Sequence, residues 1–223
     1  MLCVVYKKIK NVNRDIIKSF LEEQHALDSH NEGVFNLEFD SKYISFSYYK
    51  ILQSLECVYD KNSETVISET ANKTFRCDVI IFIQNGYLVL YGDKTACTSL
   101  DEFLYTRSPF SPYTYVVRLD DLFSKLGGII YFIKEIKYKN VKFLGTSLPS
   151  LSLEFNNNTD AFNTLKKISS PPSNITLIVD FQGEDCSLDV NLNLGNIFLS
   201  YNKIQKVHIE NIKETLLFLF EEA

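Results

Sequence analysis

An Asn-Gly pair between two apolar runs of strand length constrains this chain more than any other feature. Val79-Ile80-Ile81-Phe82-Ile83 leads into Gln84-Asn85-Gly86, and Tyr87-Leu88-Val89-Leu90-Tyr91 runs back. Asn and Gly both tolerate the positive φ of a type I′ turn, so this spacing predicts a tight β-hairpin. Both runs are apolar nearly throughout. That predicts a hairpin covered on both faces, inside a sheet rather than at its edge. Beyond it, Ser99-Leu100-Asp101-Glu102 has the form of a capping box. It predicts a helix that packs Leu100, Phe103 and Leu104 back onto the sheet.

The rest of the chain reads as short elements around that unit. Leu2–Tyr6 is strand-like, and Asn13 can cap a helix to about Leu27 whose Ile16, Ile17, Phe20, Leu21, Gln24 and Leu27 trace one face. Residues 34–39 alternate in period two, and Tyr43–Leu52, Leu55–Tyr59 and Thr65–Ser68 look extended, with Asp60-Lys61-Asn62-Ser63 as a turn. The Pro-containing loop Ser108–Pro112 is the best internal boundary. After it come a strand at Tyr115–Val117, a helix carrying Leu119, Leu122, Phe123 and Leu126 that stops at Gly127-Gly128, and strands at Ile129–Ile136 and Val141–Leu144. Leu151, Leu153 and Phe155 alternate, Thr159 or Asp160 can cap a helix through Lys167, and Pro171-Pro172 breaks the chain. Ile175–Phe181 and Cys186–Leu194 form a second hairpin, followed by Ile197–Leu199. Ile212–Phe220 reads as a helix apolar almost all round, which must be buried in its own core or against a partner. The pattern predicts an α+β fold of mostly antiparallel sheet backed by a few helices. Its two similar units, residues 1–107 and 113–223, can also form one continuous domain.

Composition excludes several classes. The 223 residues carry a net charge of −5, with 12 basic and 15 acidic side chains in residues 1–110 and 11 and 13 in residues 111–223. Neither half is polybasic, so a nucleic-acid site has to be a local patch. The five cysteines form no CxxC pair, which predicts reduced, mostly buried thiols rather than a disulfide framework or a zinc site. The N-terminal apolar run ends at Lys7-Lys8, and no stretch reaches the roughly 18 apolar residues of a membrane span. A cytoplasmic protein without a membrane partner is expected.

Few residues carry recognisable chemistry. There is no GxSxG elbow, P-loop or GxGxxG, so no catalytic residue and no cofactor is expected. His25 and His30 are five apart and do not share a helix face as metal ligands would, so no metal is expected either. The most enzyme-like pattern is Glu135-Ile136-Lys137 preceded by Asp120 and Asp121. An acidic residue followed by E-x-K on the next strand is the arrangement of metal-dependent nucleases, with Asp121 and Glu135 holding a divalent ion and Lys137 positioning water. Placement of the two Asp in the first turn of a helix, where they complement its dipole, explains them without a metal. Lys134, Lys137, Lys139 and Lys142 with Tyr138 form a basic stripe able to track a phosphate backbone, Tyr138 offering a stacking face. The same lysines would also serve as guards of an edge strand. Lys7, Lys8 and Lys10 form a second cluster that can join the first only if the topology brings the two together.

Residues Phe82–Tyr87 through Thr98–Leu104, an apolar hairpin, a small polar stretch and a short helix opening with Ser/Thr and Asp and ending in Phe-Leu, resemble a segment of Rex-type phage-exclusion proteins. That resemblance implies a DNA-binding, dimeric protein of phage conflict and transfers no functional residue. The expectation is a non-enzymatic binding protein of phage, mobile-element or antiphage-defence type. It would engage nucleic acid or a partner protein, and homo-oligomerise, with Ile212, Leu216, Leu219 and Phe220 as interface residues. The alternatives are a metal-dependent nuclease and a subunit that works only within a larger complex.

Overall fold

Strand β1 (Leu2–Lys10) is the seam of the molecule. It is followed by α1 (Arg14–Ala26), β2 (Glu32–Phe39), β3 (Tyr43–Asp60), β4 (Thr65–Phe82), β5 (Tyr87–Gly92) and α2 (Lys94–Arg107). The second half contributes β6 (Ser111–Thr114), α3 (Leu119–Leu126), β7 (Ile130–Phe143), β8 (Thr146–Glu154), α4 (Asn158–Lys167), β9 (Asn174–Phe181), β10 (Glu184–Asn191) and β11 (Asn196–Ser200). The computed structural model describes residues 2–10, 12–26, 31–61, 64–181, 184–200 and 216. All strands join one antiparallel sheet in the order β2-β3-β4-β5-β1-β11-β10-β9-β7-β8, with β6 on β1. The α+β architecture read from the sequence is thus the one observed. The sheet does not break at the Pro-containing loop: Pro112 lies opposite Ile9 and β6 extends the flank of β1. The strand expected at Tyr115–Val117 is instead irregular chain, tied by the Val117 N–H to the Leu192 carbonyl at 2.8 Å.

Two hydrophobic cores lie on opposite faces of this sheet, and β1 serves both. Cys3, Val5 and Ile9 face one core with Ile17, Phe20 and Leu21 of α1 and Ala96, Leu100, Phe103 and Leu104 of α2. Val4 and Tyr6 face the other, with Leu122 and Leu126 of α3, Ala161 of α4 and the inward residues of β7, β9, β10 and β11. Alternation along a strand sends successive side chains to opposite faces, which is how one strand feeds two helix layers. Burying a Leu such as Leu100 fully contributes roughly 1.5–3 kcal/mol. Leu216 is buried in the second core, and the Tyr6 hydroxyl donates to its carbonyl. Ile212, Leu219 and Phe220 lie outside the described residues. No helix among the described residues is long and apolar enough to cross a membrane.

The central hairpin forms in the register Phe82↔Tyr87, covered on both faces as expected. Its turn is wider than a type I′ turn. Ile83–Gly86 make a four-residue loop in which Gly86 (φ 65°) takes positive φ and donates to the Phe82 carbonyl at 3.0 Å. Tertiary bonds hold it open: Ile83 N–H to Lys42 O at 3.1 Å and Ile9 N–H to Gly86 O at 2.8 Å. The capping box is also displaced, since α2 begins at Lys94 with Asp93 as N-cap. The Asp93 carboxylate accepts from the Arg76 backbone N–H at 3.0 Å, so Ser99-Leu100-Asp101-Glu102 falls inside the helix; Leu100, Phe103 and Leu104 are buried as read. Asn13 does cap α1, accepting from Asp15 and Ile16 N–H at 3.0 and 3.2 Å. In α4 the cap is Asn157, whose side chain accepts from Asp160 N–H at 2.9 Å.

Several expected short strands are parts of long ones. β3 and β4 pair continuously from Tyr43↔Phe82 to Asp60↔Thr65, and β7 runs unbroken through the lysine-rich stretch. Polar stretches such as Glu69–Thr74 carry no burial pattern, because the ribbon they form lies beyond the sheet and is exposed along this stretch. Cys3, Cys77, Cys97 and Cys186 are buried and free, and Cys57 is exposed. The Cys3 thiol is pushed up by its hydrogen bond with Cys97 and by burial.

Candidate nucleic-acid interface

The helices are placed unevenly over the two sheet faces. α1 and α2 cover the first-half strands on one face, and α3 and α4 cover the second-half strands on the other. On the α1/α2 side, β10, β9, β7 and β8 therefore carry no helix among the described residues. β11 borders this stretch, with its Phe198 packed on the first core and Lys94 Nζ of α2 5.3 Å from the ring centroid. Register places two rows of side chains across that open face, because directly opposed residues point the same way. One row is Ser152, Lys137, Asn174, Asn191 and Asn196; its neighbour is Glu154, Glu135, Thr176, Asp189 and Phe198.

Strand β7 extends beyond the reach of β9, whose pairing with it stops at Lys137↔Asn174. From there β7 and β8 form a two-stranded ribbon turned by Leu144 and Gly145, at φ 47° and 80°. Lys137, Lys139 and Lys142 all lie on its open face, opposite Ser152, Ser150 and Ser147. Strict alternation would turn Lys142 the other way. Asn140, at φ 48°, interrupts the alternation, so that Val141 is buried and Lys142 stays exposed. Pro149 lies across from Asn140, where the ladder skips a pair and a residue without an N–H is tolerated.

The lysines differ in their surroundings. Lys137 Nζ lies 2.9 Å from Glu135 Oε2, and Ser152 donates to Glu135 Oε1. Burial pushes the Glu135 carboxyl up, but the bonds from Ser152 and Lys137 and the charges of Lys137 and Lys134 more than offset it and hold it below its usual range. Lys137 is raised, first by its bond to Glu135, with Asp189 and Glu154 adding. One Asp189 carboxylate oxygen is buried without a hydrogen-bond partner among the described residues. Lys139 and Lys142 are exposed and have no acidic side chain within ion-pair distance among the described residues.

Tyr138 does not belong to the stripe. It is 1% exposed, in the core with Ile136 and Val141, so its ring offers no stacking face. Lys134 is exposed beside Glu135. Lys7, Lys8 and Lys10 sit on β1, with three strands between it and β7, and are engaged there: Lys7 with Asp101 at 2.9 Å, Lys8 over the Tyr87 and Tyr115 rings, Lys10 over Tyr113. The nuclease residues are not brought together. Asp121 stands on α3, whose Leu122 and Leu126 pack on the Ile136 side of the sheet, whereas Glu135 and Lys137 flank Ile136 and point away from it. No group of three or more His, Cys, Asp or Glu side chains among the described residues could hold a metal ion. His25 lies in α1 with its Nδ1 2.8 Å from the Val34 carbonyl; His30 and His208 lie outside the described residues.

The serines opposite the lysines were the overlooked half of this surface. Their signal was present: if Leu151 and Leu153 face a core, Ser150 and Ser152 face away from it. No protein-family model matches this chain, and no curated protein matches it in sequence.

Proposed function

We propose that this is a non-catalytic binding protein of phage, mobile-element or antiphage-defence type, and that it holds nucleic acid along the open Lys–Ser face of β7 and β8. The observation that carries the reading is that Lys137, Lys139 and Lys142 share one exposed face, with Lys139 and Lys142 unpaired by acid among the described residues. Same-face residues on a strand are about 7 Å apart, so Lys137 and Lys139 stand about that far from each other, and Lys142 continues the row one residue further on, past Asn140. Neutralising phosphates releases counterions, while the Ser150 and Ser147 hydroxyls donate further bonds to phosphate oxygens. A two-stranded ribbon is narrow enough to enter a major groove. These side chains read phosphate rather than bases, so binding is expected to be largely independent of sequence. The acidic row of Glu135, Glu154 and Asp189 borders the site and limits it to the ribbon end. The resemblance of residues 82–104 to Rex-type proteins supports the phage-conflict setting.

Titrating fluorescent DNA and RNA oligonucleotides with the wild type and with a Lys137→Glu, Lys139→Glu, Lys142→Glu variant tests the reading. Affinity should fall at least tenfold in the variant. Equal affinity in both proteins would refute the assignment.

A further inference from the structure

Beyond Lys50 and Cys77 the β3–β4 hairpin leaves the sheet. β2 pairs with β3 only as far as Lys50, and β5 meets β4 only from Cys77, yet β3 and β4 stay paired to Asp60 and Thr65. A two-stranded ribbon standing alone is marginal in water. Its apolar side chains are uncovered, with Leu55 78% and Val66 67% exposed. On the β4 edge, Arg76 turns its backbone outward, its N–H to the Asp93 carboxylate and its carbonyl to the Asp93 N–H at 2.9 Å. By alternation Thr74, Asn72, Thr70, Ser68 and Val66 also turn their backbone groups outward, past the end of β5. The charges on this arm are unbalanced in an informative way. Glu56 and Glu69 are directly opposite each other, an unfavourable pairing of like charges. Lys73 answers Glu56 at 2.6 Å, and Glu69 has no cation within ion-pair distance among the described residues.

We propose that the arm is a dimerisation element, in which the β4 edges of two copies of this chain pair antiparallel about a two-fold axis at Ala71. In that register Glu69 lies opposite the partner's Lys73, and Lys73 opposite the partner's Glu69. Ile67 faces the partner's Phe75, and the small Ala71 meets its own copy at the axis. All these residues share one face of the arm. Registers centred on Thr70 or Asn72 set Lys73 against Ile67 or Ala71 and leave Glu69 unmatched, so charge selects the axis. A C2 contact of this kind is self-complementary and closes. The inference stands on the arm alone and does not rest on the nucleic-acid reading.

Light scattering and sedimentation of the full chain test it, together with a charge swap and a crosslink. The wild type should be a dimer at micromolar concentration, Lys73→Glu should weaken association at least tenfold, and Glu69→Lys with Lys73→Glu should restore it. Ala71 would form a pair without backbone bonds across the axis, with Cα atoms about 4.5 Å apart, within disulfide reach. Ala71→Cys in a Cys57→Ser background should therefore give a covalent dimer under mild oxidation. A monomeric wild type, an undiminished dimer in Lys73→Glu, failure of the charge swap to restore association, or absence of the Ala71→Cys crosslink would each overturn the proposal.

Discussion

Tyr138 and Glu32 show how single residues can be misread or overlooked from sequence. Tyr138 sits among lysines and looks like part of their surface, yet period two places it with Ile136 beneath the sheet. Its hydroxyl is buried without a partner among the described residues, and burial raises its pKa. Replacing Tyr138 by Phe should stabilise the fold by roughly 1 kcal/mol in urea unfolding, because it removes an unsatisfied buried group. Glu32 carried no signal at all. It accepts from Lys50 Nζ at 2.6 Å and from the Tyr48 hydroxyl at 3.0 Å, and Arg107 lies 3.3 Å away, so it joins β2, β3 and the end of α2. Burial pushes its carboxyl up, but these bonds and charges outweigh that and hold it below its ordinary value of 4.5. A depressed carboxyl stabilises fully above its unfolded-state value and loses that contribution as pH falls through the folded-state value. Glu32→Gln should cost roughly 1–3 kcal/mol at pH 7, with the gap to wild type closing as pH drops below about 4.5.

Among the elements, helices with an apolar face were legible and ribbons without one were not. α3 follows its i, i+3, i+4 spacing, with Leu122 and Leu126 fully buried. α1 buries Ile17, Phe20 and Leu21 as expected but leaves Ile16 49% exposed, off the packing face, while Leu27 lies outside the described residues. The sequence shows the β3–β4 arm and the β7–β8 ribbon only as shorter pieces, since Glu69–Thr74 have no core to alternate against and Lys137–Lys142 change period at Asn140. That interruption leaves no mark in the residue pattern, yet it decides where Lys142 points. A left-handed backbone costs an ordinary L-residue about 1–2 kcal/mol. Asn140→Val should therefore lower stability by about that amount in chemical denaturation, while Asn140→Gly should be tolerated. The hairpin 79–91 has the strands its apolar runs predict but a wider turn than Asn-Gly predicts, because backbone bonds with Lys42 and Ile9 decide the loop.

At the level of the whole molecule, the crossed placement of two helix layers over one sheet creates the open face. That could not be read from the chain, since the sequence shows which strands are amphipathic but not which face each helix covers. It also explains how an acidic protein can present a cationic surface: the lysines stand on a ribbon beyond the acidic row, and fields at this range are local, screened over about 10 Å at 0.1 M salt. The salt dependence of nucleic-acid binding tests this most directly. With three lysines on phosphate, the logarithm of the wild-type association constant should fall against the logarithm of salt with a slope near about −2.7 on duplex DNA. Lys139→Gln with Lys142→Gln should flatten it by roughly 2, one for each contact removed. A slope identical in the two proteins, or no binding by the wild type at low salt, would contradict the assignment of this face.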